Sequence, residues 1–278
     1  MNMNFYIIPS PIGNLDDITI RSIQVLNRLD FLVVENRSKA KIILQKHEVQ
    51  IEKILVYNDK SNQRDRNKII NLLKCQLSGG IMSEAGTPLI SDPGYKLIKE
   101  LIRLNVPIVP LPGATSVISS LVASGLPTNS FKFVGFFPRI KKDAKSLCEN
   151  INIFNGTTIM FESPKRLLQT LCLIDQEIGS SAEVCVAKEI TKIHENFFRG
   201  TPKELINLLS NNKNLIKGEF VILIRTLDID ESYVLADKIY NHISSKITLK
   251  ESAKIVAEIT GINRNKIYKR FLSFSKNS

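Results

Sequence analysis

Short apolar runs that alternate with longer amphipathic segments constrain this chain more than any other feature of its sequence. Five runs occur early in the chain, at residues 5–8, 31–34, 54–56, 80–82 and 107–111. Between them, apolar residues recur at three-to-four spacing, as from Ile18 to Leu29, which predicts helices. Alternating strands and helices are typical of βα units around a mostly parallel sheet. The sequence therefore predicts an α/β fold.

A second series of strand-like runs predicts a second α/β domain. These runs lie at residues 131–136, 157–161, 183–188 and 219–224. A helix is predicted from Pro164 to about Ile178, because Ser163 can cap its first turn and proline suits that turn. A chain of 278 residues is also long enough for two domains. We place the domains at residues 1–115 and 116–228, followed by a helical extension at residues 229–278.

The extension is predicted to contain a pair of helices. Residues Thr248 to Glu251 have the spacing of a capping box, and the amphipathic run after them ends at Gly261. A second helix, from Arg264 to about Phe274, carries basic residues and no acidic one, so the pair resembles a helix-turn-helix. Nucleic-acid contact is expected from Arg264, Lys266, Lys269 and Arg270. The alternative is a packing appendage with a solvated polar face.

The charge balance favours a polyanionic partner. The sequence contains 38 Lys and Arg residues against 27 Asp and Glu residues, a formal net charge of +11. Basic side chains on a surface release counterions from phosphate chains, which favours nucleic-acid binding. A solvated lysine-rich surface is the alternative reading of the same excess.

Several classes of protein are disfavoured. Four widely spaced cysteines and three histidines predict no metal site. Pro9 and Pro11 interrupt the N-terminal apolar run, so no secretory signal is predicted and the chain is expected in the cytoplasm. The uncharged stretch from Leu104 to Phe131 contains several prolines and glycines, so it predicts a strand, a turn and a helix instead of a membrane span.

Three loops rich in proline, glycine and small residues indicate a ligand site. They are Ser10 to Leu15, Ser83 to Pro88 and Leu111 to Ser116, each directly after a predicted strand. Dinucleotide-binding, P-loop, zincin and α/β-hydrolase signatures are absent from the sequence. Any one loop could be a simple turn, but loops at the carboxyl ends of parallel strands line a common crevice. Together the three loops favour a small-molecule pocket.

Seven motifs carry a resemblance to a known family. They are PSPIGNLDDIT (9–19), SEAGTPLISDPGY (83–95), PLPGATSVISSLVASGLPT (110–128), GFFPR (135–139), FESPKR (161–166), AKEITKIHENFFRGT (187–201) and GEFVILI (218–224). The chain resembles the tetrapyrrole methylase superfamily and, within it, the branch that methylates small-subunit ribosomal RNA. The helical tail resembles the small C-terminal domain of that branch.

The resemblance implies a fold and an activity. It implies two α/β domains with S-adenosylmethionine in the cleft between them, a homodimer, and methylation of the ribose 2′-hydroxyl of a decoding-centre cytidine in 16S ribosomal RNA. A methylase of a tetrapyrrole or another small substrate is the alternative on the same fold. A non-enzymatic nucleic-acid binder would leave the three loops without a role.

The resemblance also implies roles for individual residues. Cofactor contacts are expected from Pro11, Ile12, Gly13, Ser83, Gly86, Thr87, Pro88, Pro112, Gly113, Ala114, Thr115, Ser116, Phe161 and Glu162. Because a ribose hydroxyl is a poor nucleophile, a general base is also expected. The candidates for it are Glu162, Lys165, Lys188 and Glu189, and the motifs do not choose among them. RNA phosphates are expected at Arg139, Lys165 and Arg166.

The loop after the second strand departs from the family pattern. Glu35-Asn-Arg-Ser38 occupies the place where the family usually has Glu-Asp-Thr-Arg. Asn36 therefore removes a charge. The change in this loop is expected to affect how the substrate is held.

Overall fold

The first half of the chain forms a parallel sheet. The computed structural model describes residues 4–226 and 231–275. The strands are β1 (Phe5–Ile8), β2 (Phe31–Val34), β3 (Lys53–Val56), β4 (Gly79–Met82) and β5 (Ile108–Pro110). They are arranged in the order β3-β2-β4-β1-β5, and every pairing is parallel. The first series of apolar runs was therefore predicted correctly in position and direction.

Helices cover both faces of this sheet. They are α1 (Ile20–Leu26), α2 (Arg37–Lys46), α3 (Gln63–Lys74) and α4 (Tyr95–Arg103). Phe31 and Val33 of β2 pack with α3 and α4, whereas Leu32 and Val34 pack with α1 and α2. Because both faces are buried, β2 is apolar at every position and does not alternate.

The second half forms a sheet that is mostly antiparallel. Its strands are β6 (Phe131–Phe136), β7 (Thr157–Glu162), β8 (Ala182–Lys188), β9 (Asn196–Gly200) and β10 (Phe220–Thr226), in the order β6-β7-β10-β8-β9. Only β6 and β7 pair in parallel. The other three pairings are antiparallel. For this half the sequence predicted an α/β domain without strand directions. The short connection from β8 to β9 cannot make a crossover, so these two strands pair antiparallel.

A layer of helices lies on each face of the second sheet. Helix α5 (Ser116–Ser124) covers one face through Val117 and Leu121, and it joins the two halves. The other face packs against α6 (Lys141–Asn152), α7 (Leu167–Glu177) and α8 (Pro202–Ser210). The uncharged stretch from 104 to 131 thus forms β5, a loop and α5, as predicted. In the described part of the chain, no helix has the length and apolar character needed to span a membrane.

Helix α7 starts later than predicted. Residues 163–166 form a turn, and the helix begins at Leu167, with Arg166 at the N-cap position. Ser163 does not cap this helix through its side chain; its carbonyl accepts hydrogen bonds from the N–H groups of Arg166 and Leu167, each at 3.1 Å. The Ser163 N–H instead donates to the Glu162 carboxylate at 2.7 Å. The bond to Glu162 turns the chain before the helix can start.

An arginine of β9 holds the end of α5. The Nε of Arg199 donates to the carbonyl of Ser124 at 2.9 Å, and its Nη2 donates to the carbonyl of Ala123. Gly125 ends the helix in the left-handed conformation, with φ of 82°. A cation at a helix C-terminus interacts favourably with the helix dipole and satisfies free carbonyls. Arg199 therefore fixes α5 to the second sheet.

The tail is a bundle of three helices. They are α9 (Glu231–Ile243), α10 (Leu249–Thr260) and α11 (Arg264–Ser275). The capping box at Thr248 and the stop at Gly261 are confirmed. Helix α9 was not predicted, because its sequence offers no comparable start signal. Its side chains complete a small core in which the rings of Tyr240 and Phe271 stack with centroids 3.9 Å apart.

The sheets and the tail agree with the predicted fold class of two α/β units and a helical extension. The first sheet lies within residues 1–115, and the second lies within 116–228. We keep the boundary at 115 as a proposal, because α5 begins at Ser116 and packs on the second sheet. The boundary at 228 lies outside the described residues.

Candidate functional site

The three glycine- and proline-containing loops form one assembly at the carboxyl ends of the first sheet. Ser10 and Gly86 exchange two backbone hydrogen bonds, at 2.9 and 3.0 Å. The Ser10 hydroxyl donates to the carbonyl of Ser83 at 3.0 Å. The Thr87 hydroxyl donates to the carbonyl of Ala114 at 3.1 Å. The prediction that these loops lie side by side is confirmed.

The first loop also contacts the second half of the chain. The N–H of Asn14 donates to the Thr191 hydroxyl at 3.0 Å. A Cβ atom at Gly13 would lie 2.5 Å from Cγ of Lys192 and 2.7 Å from the Thr191 hydroxyl. Gly13 therefore permits the close approach of the two halves at this point.

A cavity lies between the two halves and takes its walls from both. Its volume is about 410 Å³, which is within the usual range for small-molecule sites. The lining residues from the first half and from α5 are Ile12, Ala85, Gly86, Thr87, Ile90, Ser91, Asp92, Thr115, Ser116 and Val117. Those from the second half are Phe136, Phe161, Glu162, Ser163, Pro164, Ile190, Gly218, Glu219, Phe220 and Val221.

Half of the predicted cofactor residues line this cavity. They are Ile12, Gly86, Thr87, Thr115, Ser116, Phe161 and Glu162. The others belong to the same loops but are not part of the lining: Pro11, Gly13, Ser83, Pro88, Pro112, Gly113 and Ala114. At Gly113, a Cβ atom would lie 2.4 Å from Cβ of Pro9. Gly113 is therefore required for packing between loops, and a valine there is expected to disturb the fold.

Thirteen of the twenty lining residues were not predicted as site residues, and seven of them lie in two continuous segments. Residues 90–92 and 218–221 lie within quoted motifs, but neither was assigned a role. Positive φ angles at Leu89 (75°) and Ser91 (64°) mark the first of these segments. Left-handed backbone at residues other than glycine is uncommon and is often found at functional sites. Such angles cannot be read from side-chain types.

Aromatic rings form the wall on the side of the second sheet. The ring of Phe161 lies 4.8 Å from that of Phe133 and 5.5 Å from that of Phe136, both edge to face. Phe136 is 57% exposed at the rim of the cavity. An exposed ring in this position offers a surface on which a planar group can stack.

Glu162 is the most deeply buried of the four predicted base candidates. Its Oε1 accepts the N–H of Ser163 at 2.7 Å, and its Oε2 accepts the Thr170 hydroxyl at 2.5 Å. The guanidinium of Arg166 lies 3.4 Å from Oε2. The carboxylate is thus held by its neighbours within the protein.

The other three base candidates do not line the cavity. Lys165 is exposed. Lys188 and Glu189 line a neighbouring cavity of about 600 Å³. The Glu189 carboxylate accepts hydrogen bonds from Nζ of Lys192 and from the N–H of Glu219, both at 2.8 Å. The structure therefore does not bring the four candidates together.

The predicted RNA contacts fall into two groups. Arg139, Lys165, Arg264, Lys266 and Lys269 are exposed. By contrast, the guanidinium of Arg166 donates to the carbonyls of Phe137 and Pro138, at 2.9 and 3.0 Å. Arg270 forms two hydrogen bonds to Asp237, at 2.8 and 2.6 Å. Arg166 and Arg270 are therefore engaged within the protein, and we now expect RNA contact only from the other five residues.

Comparison with known proteins identifies the family. A family model described as Tetrapyrrole (Corrin/Porphyrin) Methylases matches residues 4–206. The chain belongs to the tetrapyrrole methylase family. As a member of this family it is a methyltransferase, and the predicted resemblance is confirmed.

Relatives of this tetrapyrrole methylase carry more specific names. The chain is 40% identical over 222 residues to "Ribosomal RNA small subunit methyltransferase I" of Hydrogenobaculum sp. (strain Y04AAS1), covering 80% of this chain and 95% of that protein. It is 37% identical over 268 residues to the protein of the same name from Vibrio cholerae, covering 95% and 92%. Both matches cover most of the relative.

A solved structure shares the tetrapyrrole methylase fold. It is uroporphyrin-III C-methyltransferase from Thermus thermophilus in complex with S-adenosylhomocysteine, with a TM-score of 0.55 and 14% identity. The match covers 80% of this chain and 97% of the other. At this identity the likeness concerns the fold alone.

Proposed function

We propose that this methyltransferase uses S-adenosylmethionine to methylate the ribose 2′-hydroxyl of a decoding-centre cytidine in 16S ribosomal RNA. The observation that carries the proposal is the 40% identity, over 80% of the chain, to a protein named for small-subunit ribosomal RNA. The cavity between the two sheets supplies a site of suitable size. The net charge of +11 favours RNA over a small anionic substrate.

The residues of the cavity suit a nucleoside-containing cofactor. Gly86 has φ of 79°, and a Cβ atom there would lie 3.2 Å from Cγ2 of Ile12 and 3.7 Å from the carbonyl oxygen of Ala114. Gly86 lines the cavity, and a glycine there leaves the backbone uncovered for a ligand where a side chain would crowd Ile12. Ile12, Phe161 and Val221 offer apolar contacts, and Thr87 and Thr115 offer polar ones. We assign the cofactor to this cavity.

The chain's own contribution to the reaction is alignment and exclusion of water. Bound S-adenosylmethionine supplies an activated methyl carbon. Hydrogen bonds join the loops around Ile12, Gly86 and Thr115 to one another. The loops can therefore keep a bound ligand in a single orientation. Alignment of two reactants is itself a large part of catalysis for a displacement of this kind. Phe136 at the rim offers a surface on which a base of the RNA can stack.

The proposal is tested by mapping ribose methylation in 16S ribosomal RNA from cells with and without this gene. Loss of one 2′-O-methyl group at a decoding-centre cytidine is expected when the gene is deleted. Purified protein and S-adenosylmethionine should restore it on small subunits lacking the modification. An unchanged map, together with methyl transfer to a tetrapyrrole, would favour the alternative small-molecule substrate.

We also propose that the protein acts as a homodimer in the cytoplasm, where ribosomal subunits are assembled. Ile118 and Val122 lie one turn apart on α5 and are both exposed. Apolar surface of this kind would be covered in a dimer. Light scattering of the purified protein should give twice the mass of the 31.3 kDa chain.

Reversing the charge of Arg139 or Lys165 should weaken RNA binding. Both side chains are exposed, and in sequence they follow the lining residues Phe136 and Pro164 closely. Each would neutralise a phosphate. Arg139→Glu and Lys165→Glu should each reduce the slope of log affinity against log salt by about 1. Filter binding to small subunits at several salt concentrations measures this slope. Lys74→Glu, on the exposed side of α3, should leave RNA affinity within about twofold of wild type.

Deleting the helical tail, residues 229–278, should impair RNA binding without affecting the cofactor. All the cavity residues lie before residue 222. The exposed basic residues of α11 should contact RNA, so the KM for small subunits should rise severalfold. Calorimetry should give an unchanged affinity for S-adenosylmethionine. If the truncated protein folds but no longer binds cofactor, the tail takes part in cofactor binding, against this prediction. If its kinetics are unchanged, the tail is only a packing appendage.

A further inference from the structure

Three carboxylates line the cavity, and two of them already have charged or hydrogen-bonding partners in the protein. Glu162 is held by Ser163 and Thr170 and lies beside Arg166. Glu219 forms an ion pair with Lys192 at 3.0 Å, and its side chain is 75% exposed. Asp92 forms no ion pair with any residue of the described chain. Asp92 is therefore the cavity carboxylate whose charge is not neutralised by the protein.

The backbone holds Asp92 in a defined position. The segment between Gly86 and α4 contains left-handed φ angles at Leu89 and Ser91, directly before Asp92. The Ser91 hydroxyl lies beside Gly135 of β6, 3.9 Å from where a Cβ atom of that glycine would be. The segment thus reaches across to the second sheet. Uncommon backbone angles persist where the surrounding structure enforces them, and they often position functional groups.

We propose that Asp92 is the general base that accepts the proton of the substrate hydroxyl. This inference rests on the proposed function. As the 2′-oxygen forms its bond to the methyl carbon, the O–H bond breaks and the proton passes to the Asp92 carboxylate. The carbon–sulfur bond breaks, and its electron pair remains on sulfur. S-adenosylhomocysteine and protonated Asp92 result, and the proton is then released to solvent.

The surroundings of Asp92 make it a stronger base than an ordinary aspartate. Its pKa is raised to about 6, chiefly by burial. The negative charges of Glu84 and Asp59 contribute to this rise, and the nearby Ser83 hydroxyl opposes it. A base is most effective when its pKa approaches the working pH, because it is then ionised and still binds the proton strongly.

The groups around Asp92 come from three neighbouring strand ends. Glu84 follows β4, Asp59 follows β3 and Glu35 follows β2. Burial raises the pKa of Glu35, and the charges of Glu84 and Asp92 raise it further. Lys39 of α2 is the cation of this group, and it is paired with Glu84. Carboxylates thus outnumber the cation around Asp92, and their charge adds to the effect of burial on its pKa.

The ionisation of Asp92 should be visible in the pH profile of kcat/KM. Protonated Asp92 cannot accept a second proton, so the rate should fall about tenfold per pH unit below about pH 6. Glu84→Gln removes a negative charge and releases Lys39, and both changes lower the pKa of Asp92. The acidic limb should therefore move to lower pH in Glu84→Gln, with the plateau rate at high pH retained.

Asp92→Asn tests the assignment directly. It should lower kcat by about 10²- to 10⁴-fold. Calorimetric affinity for S-adenosylmethionine and filter-binding affinity for small subunits should remain within about threefold of wild type. Asp175→Asn, at another half-buried aspartate, on α7 and away from the cavity, should leave kcat unchanged.

Three results would overturn the inference. One is an Asp92→Asn protein that retains a third or more of wild-type kcat. Another is a fall in cofactor affinity that matches the fall in rate, which would make Asp92 a cofactor ligand. The third is a carboxyl titration of Asp92, followed by carbon NMR in the full-length protein, with a midpoint below pH 4.5. If wild type itself makes no 2′-O-methyl product, the proposed function fails, and this titration still tests Asp92.

Discussion

Gly86→Val should lower the affinity for S-adenosylmethionine at least 100-fold, about 2.7 kcal/mol. Gly86 lies in the cavity lining, where even a Cβ atom would approach Ile12 within 3.2 Å. The two γ-methyl groups of valine would extend into the space that we assign to the cofactor. Isothermal titration calorimetry of the purified variant measures the affinity, and circular dichroism shows that it is folded.

Gly179→Val is the matched control for this experiment. Gly179 has nearly the same backbone angle, with φ of 73°, but a Cβ atom there meets no other atom within 4 Å. Both variants carry the strain of a β-branched residue in the left-handed region, so both should lose stability, and Gly86→Val should lose more because of its contact with Ile12. Only Gly86→Val should lose cofactor affinity. Equal affinities in the two variants would contradict the position of the cofactor.

Glu162→Ala should lower the free energy of unfolding by about 3 kcal/mol in the absence of cofactor. The variant leaves the guanidinium of Arg166, which is only 24% exposed, without its carboxylate. It also removes the acceptor for the Thr170 hydroxyl. Breaking one partner of a buried pair is strongly destabilising, because the remaining charge stays desolvated. Urea unfolding followed by circular dichroism measures the loss.

Two further variants compare the stabilising effect of the buried contacts of Glu162 with that of an exposed ion pair. Thr170→Val removes a single hydrogen bond to the carboxylate and should cost about 1 kcal/mol. Lys68→Ala removes the exposed pair with Asp65 on α3 and should be indistinguishable from wild type. A Glu162→Ala protein as stable as Lys68→Ala would show that the buried network does not hold the turn before α7.

Strand positions could be predicted from the sequence in both halves, but strand directions in the second sheet could not. The runs at residues 183–188 and 219–224 are apolar because β8 and β10 are buried on both faces. Such runs look alike in parallel and antiparallel sheets, since burial sets composition and connection length sets direction. Strand β9 was missed because it is a short edge strand of mixed polarity, NFFRG, within a motif.

The candidate site was predicted in outline. The loops at Ser10, Ser83 and Leu111 are brought together, as their positions after parallel strands required. The spacing could not separate glycines that face the cavity, such as Gly86, from Gly113, which packs against Pro9. The sequence also could not show that Arg166 donates to backbone carbonyls of the protein, or that Asp92 has no positively charged partner. Both features depend on contacts between segments that are distant in sequence.

The anchoring of α5 by Arg199 has a consequence for synthesis of the protein. The helix begins at Ser116 in the cavity wall, but its other end is held by a strand made much later. Domains fold from the N-terminus as the chain leaves the ribosome, so the three loops can form before their cavity is complete. The last wall, at residues 218–221, emerges later still. A cofactor bound in this cavity, as proposed, would stabilise only nearly finished chains. Prematurely terminated products should then be open to proteolysis.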